Sequence, residues 1–178
     1  TFLHRPLDIS AVLDFVFDSN ADHGFADRVR PQIVLSGHSR GGYGSLAAAG
    51  ARYDLENTDT TCVPENTSEY CQAYRAYPEH FTDGFLDDRV NGLILLASGD
   101  YARFNEGVSG VSIPVLQWTA GGDLNNPNEV DGDPIWSALA GPSFRFDIAN
   151  GGHFTFTSIC SVVGPLGVDN GCDPDNYP

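Results

Sequence analysis

The feature that most constrains this chain is the run Ile33-Val34-Leu35-Ser36-Gly37-His38-Ser39-Arg40-Gly41-Gly42-Tyr43-Gly44-Ser45-Leu46-Ala47-Ala48-Ala49. It opens apolar and β-branched, the pattern of a short strand buried on both faces. It ends in small residues, the pattern of a helix packed closely on a sheet. Between the two, Gly37-x-Ser39-x-Gly41 predicts a tight strand-to-helix turn of the kind called a nucleophile elbow. The spacing has a physical reason. A serine lifted clear of a sheet needs strained backbone, and its neighbours two residues away must lack bulk where strand and helix nearly touch. The N-terminus of the following helix then supplies positive potential for an anion.

A serine hydroxyl is a weak nucleophile at neutral pH, so the chain must supply a base and a group to orient it. Two later segments have the required form. Ile113-Pro114-Val115-Leu116-Gln117-Trp118-Thr119 predicts a strand, and Ala120-Gly121-Gly122-Asp123 follows it. Phe144-Arg145-Phe146-Asp147-Ile148 predicts another, with mixed polarity suited to an edge, and Asn150-Gly151-Gly152-His153 follows that. Each presents one ionisable side chain after a glycine pair, as groups converging on one point require. Val90 to Ala97 predicts one more buried strand, and Asp100 beyond it is the reserve acid. Competing assignments are a solvated turn or calcium loop for Asp123 to Glu129 and a helix-capping role for His153. His38 lies inside the turn, while His4, His23 and His80 fall in leading or polar segments and read as surface residues. The backbone N–H of Arg40, directly after the serine, is the first donor expected for an oxyanion.

Strands alternating with helices predict an α/β fold with a parallel sheet flanked by helices, in one domain of 178 residues. A helix is expected from Pro6 or Asp8 through Phe17, and a loop over Ser19–Pro31. Residues 54–88 lack sustained periodicity and read as an insertion with one short helix near Glu69–Tyr77. A short helix is expected over Ile135–Ala140, a closing helix or irregular segment over Phe154–Val163, and a Pro/Gly/Asp-rich tail from Gly164.

Nine arginines, no lysine and 24 acidic residues give a net charge of −15. Such a surface repels nucleic acid and anionic membranes, and no segment has the apolar length of a membrane span. Cys62, Cys71, Cys160 and Cys172 lack the spacing of a zinc site. Of their three possible pairings, 62–71 and 160–172 close the smallest loops, and disulfides imply a secreted or periplasmic protein. Asn66-Thr67-Ser68 is a glycosylation sequon, relevant only in a eukaryotic host. Neither cofactor nor metal is called for by these residues.

Three stretches carry a resemblance to a known group: Gly37-His38-Ser39-Arg40-Gly41-Gly42 with Gly44-Ser45-Leu46, Ile113-Pro114-Val115-Leu116 running to Gly122-Asp123, and Asn150-Gly151-Gly152-His153-Phe154. Together they resemble the α/β-hydrolase branch that holds cutinase-like polyester hydrolases, platelet-activating-factor acetylhydrolases, dienelactone-hydrolase-like proteins and chlorophyllases. The chain order Ser39, Asp123, His153 is also that of α/β-hydrolases. The resemblance implies ester hydrolysis through an acyl-enzyme, with Ser39 as nucleophile, His153 as base and Asp123 as its orienter. By position it also implies Tyr101 as a substrate contact. Dienelactone hydrolases proper use cysteine, and this turn has serine. In such enzymes further strands precede the elbow strand, along with the loop bearing the second oxyanion donor. The chain therefore resembles a C-terminal portion of the fold, expected to be completed by a second polypeptide or an N-terminal segment. An amidase or peptidase on the same residues, and a non-catalytic binding subunit that keeps the fold, are the alternative expectations.

Overall fold

The computed structural model of the protein describes residues 1–18 and 28–163. Most of the loop expected over Ser19–Pro31, His23, the tail from Gly164 and the Cys160–Cys172 pairing lie outside the described residues. Four parallel strands form one sheet in the order β1 (Ile33–His38), β2 (Val90–Leu96), β3 (Val115–Ala120) and β4 (Ser143–Ile148). All three adjacent pairs are parallel, with Leu35 opposite Leu93, Leu93 opposite Val115, and Val115 opposite Ser143. Each crossover contains helical structure, the arrangement that parallel neighbours require.

Helix α1 (His4–Phe17) begins one turn earlier than Asp8, because Pro6 is accommodated in its first turn. It packs on α2 (Arg40–Ala48), which lies against β1 and β2. Residues 42–49 are buried on every side, so the small residues of this helix are its means of close approach. On the face of the sheet toward α2, Leu93, Leu95 and Val115 are at most 2% exposed.

The opposite face differs from the sequence expectation. Its in-register row is Ser36, Ile94, Leu116 and Phe144, followed by His38, Leu96, Trp118 and Phe146. Phe144 is 71% exposed and Val34 56%. The elbow strand is thus not buried on both faces among the described residues: α1 and α2 lie on the other side. Apolar sequence at β1 reports capacity for burial, not the presence of a covering element.

Residues 54–88 are the second difference. The expected short helix is present as α4 (Glu69–Ala76), and two unexpected ones flank it: α3 (Leu55–Thr61) and α5 (Pro78–Asp83). Asp54 caps α3 by accepting the Asn57 N–H at 2.9 Å, and Ser68 caps α4. The expected Cys62–Cys71 disulfide is present and joins α3 to α4. Tyr70, Phe81 and Phe85 are buried with Phe2, Tyr43, Tyr53 and Phe104 in one aromatic cluster. The Tyr43 and Tyr53 hydroxyls share a 2.6 Å hydrogen bond, and burial pushes the pKa of both well above the ordinary phenol value. This segment is core, not ornament.

Downstream, a π-helical turn at Asn128–Gly132 runs directly into α6 (Asp133–Ala138), so helical structure starts before Ile135. After β4, residues 153–158 form turns, and among the described residues that follow, only α7 (Ile159–Val163) is helical. No helix among the described residues is long and apolar enough to cross a membrane.

Candidate active site

Ser39 stands between β1 and α2 with φ 55° and ψ −122°. A non-glycine residue in that region is strained by about 1–3 kcal/mol, a cost borne by the surrounding packing. Ser39 donates its N–H to the Leu96 carbonyl (2.9 Å), and its own carbonyl accepts from the Gly42 N–H (2.9 Å). A Cβ on Gly37 would lie 2.3 Å from the carbonyl group of Gly41, and one on Gly42 would lie 2.3 Å from Ser98 Oγ. A Cβ on Gly41 would meet nothing within 4 Å. The steric demand therefore falls on Gly37 and Gly42, whereas the sequence motif pointed to Gly37 and Gly41. What matters at position 41 is where its carbonyl lies.

The loops after β3 and β4 meet through their glycine pairs. Gly121 donates to Ile148 O at 3.0 Å, and Gly122 to Gly151 O at 2.8 Å. A Cβ on Gly121 would lie 2.5 Å from the Ala149 carbonyl oxygen, so close approach, beyond flexibility, explains the residue type. This contact carries Asp123 and His153 to one place. Asp123 Oδ2 lies 2.8 Å from His153 Nδ1, and His153 Nε2 lies 2.9 Å from Ser39 Oγ. Asp123 Oδ1 accepts the backbone N–H groups of Asn125 (2.8 Å) and Asn126 (2.9 Å). Both carboxylate oxygens are thus engaged, and the side chain is 1% exposed. The Asn126 side chain donates to Ala97 O at 2.7 Å and ties this loop to the end of β2.

Ser39, His153 and Asp123, which the sequence singled out separately, form one continuous hydrogen-bonded chain. The reserve acid does not join it. Asp100 lies beside Arg103 at 3.8 Å, with its carboxyl pushed up by burial against the opposing pull of Arg103 and Arg40. Tyr101 packs against the core and donates its N–H to Asp131 (3.0 Å). Arg40 opens α2, so its N–H has no acceptor within the helix and is available above the turn. Its guanidinium turns elsewhere, to Glu69 at 3.5 Å and over the Phe2 ring.

His38 is the participant that the sequence did not reveal. It lies 2.7 Å from the His153 carbonyl, although 115 positions separate the two residues. Among the described residues no group of three or more His, Cys, Asp or Glu could hold a metal ion. The site can deprotonate an alcohol, hold the resulting imidazolium against a carboxylate, and offer a helix-start N–H to a developing oxyanion. No known family model and no curated protein matches this chain.

Proposed function

We propose that this chain carries the catalytic centre of a serine carboxylic-ester hydrolase of the α/β-hydrolase kind. The observation that carries the reading is the unbroken path from Ser39 Oγ through the His153 ring to Asp123, at 2.9 and 2.8 Å, beginning at a serine in strained backbone. Ser39 Oγ adds to the ester carbonyl as His153 Nε2 takes its proton. Asp123 holds the Nδ1–H and stabilises the imidazolium. The Arg40 N–H stabilises the oxyanion, a contribution of about 3 kcal/mol per donor in comparable sites. Collapse of the tetrahedral adduct expels the alcohol, which takes the proton from His153. A water then adds to the acyl-enzyme with His153 again as base, and the acid leaves with Ser39 restored.

The edge of β1, open among the described residues, and the row left uncovered there on its outer face support a second part of the reading. The four strands correspond to the last strands of such a sheet, and a further strand, from another polypeptide or an N-terminal segment, pairs with β1. That completion also supplies the second oxyanion donor. The Cys62–Cys71 disulfide supports residence in an oxidising, extracellular or periplasmic setting.

A matched pair of substrates tests the assignment. p-Nitrophenyl butyrate should be turned over, while the corresponding p-nitroanilide should react at least about a hundredfold more slowly. Comparable rates would make this an amidase centre. No turnover of either by the completed protein would leave a hydrolase-like binding subunit.

A further inference from the structure

Among the described residues β1 and β4 are the two edges of the sheet, yet His153 follows β4 and must act at Ser39 beyond the end of β1. The loop therefore crosses three strand spacings, about 14 Å. Near β3 it is held by the Gly122–Gly151 hydrogen bond and by Asp123. At the far side the tether is His38. Because a carbonyl only accepts, His38 Nε2 carries a hydrogen and donates to His153 O at 2.7 Å. The two rings lie 4.8 Å apart, with Phe154 packed against both. His38 also immediately precedes Ser39, so one dipeptide carries the alcohol and the anchor for its base.

We propose that His38 is a positioning residue that pins the His153 backbone over β1, and that a charge on its ring opposes formation of the His153 imidazolium. The inference rests on the ester-hydrolase reading for its kinetic consequence, but not for the coupling of the two rings. The charged or titratable groups facing His38 are His153 and, behind it, Asp123. Burial holds the His38 imidazole below the ordinary histidine range; the carbonyl hydrogen bond raises it, the His153 ring lowers it, and the carboxylate raises it. His38 is consequently neutral when the site works. In acid its cation would stand beside the ring that must itself become cationic, giving a coupled titration.

Two variants separate the donor from the charge. H38Q keeps an N–H at the end of a side chain of similar reach, and H38L has neither donor nor charge. With a p-nitrophenyl ester at pH 8, H38L should lose about tenfold in kcat with little change in KM, since small misplacement of a base is costly. H38Q should recover to within about threefold of the parent protein. In acid, kcat/KM of the parent should fall with two protons, and that of H38Q with one. An H38L enzyme as fast as the parent, or an H38Q enzyme no better than H38L, would overturn the positioning role. NMR titration of the His38 ring C–H signals provides a readout independent of turnover: His38 should titrate below the ordinary histidine range in the parent protein and move up in H153Q, which keeps the carbonyl but removes the neighbouring imidazole. No upward move in H153Q overturns the coupling even if esters are cleaved. An upward move without turnover by the completed protein leaves the coupling standing and the ester reading refuted.

Discussion

At the scale of single residues, geometry assigns different penalties to neighbouring positions. S39A should abolish ester turnover. D123N should lower kcat by about 10³-fold or more, because an amide cannot fix the same tautomer of His153. Both are read by steady-state kinetics on a folded protein. The glycines of the turn give a sharper contrast. G37A and G42A each put a methyl 2.3 Å from occupied space, and should cost roughly 3 kcal/mol in denaturant unfolding or prevent folding. G41A enters open space within the first turn of α2, and should leave stability unchanged or raise it by up to about 1 kcal/mol. Destabilisation of G41A comparable to that of G37A would show that this steric account of the turn is wrong.

At the scale of elements, Arg89 ties α1 to the loop before β2. Its guanidinium meets both oxygens of Asp87 at 2.8 and 2.6 Å, Asp14 at 2.8 Å, and the Ser10 carbonyl at 3.2 Å. The hydrogen bonds from Arg89 hold the Asp87 carboxyl down at about 2, against the raising effect of burial. A carboxyl lowered in the folded state contributes stability above its ordinary value, and that contribution is lost as pH falls from about 4 toward 2. R89M should therefore destabilise the fold by about 2 kcal/mol near neutrality, with the difference shrinking across that acid window in urea titrations. The same scale explains what the sequence made legible. Ser39, Asp123 and His153 each follow a strand end, and each is marked by glycines whose close contacts leave a local trace. Residues 54–88 left a trace only at α4, because helices of six to eight residues barely complete two turns and draw their order from distant rings such as Phe2, Tyr43 and Phe104. His38 escaped for a related reason: its partner lies 115 positions away, and no local pattern encodes that contact.

At the scale of the whole molecule, among the described residues the edge of β1 is unpaired and the row from Val34 to Phe144 is exposed. Unpaired parallel edges with apolar faces associate. The chain alone should elute from size exclusion as an oligomer or aggregate, and V34K should shift it toward the 19.1 kDa monomer. A monodisperse parent monomer would contradict the proposed completion of the sheet. The central claim concerns one nucleophile in the entire chain. The most direct test is a fluorophosphonate probe applied to the folded protein, alone and with any completing polypeptide, followed by mapping of the adduct by mass spectrometry. The account predicts one label per chain, on Ser39, lost in S39A and strongly slowed in H153A. An unlabelled Ser39 in the folded, completed protein, or labelling that survives S39A at the parent rate, would contradict it.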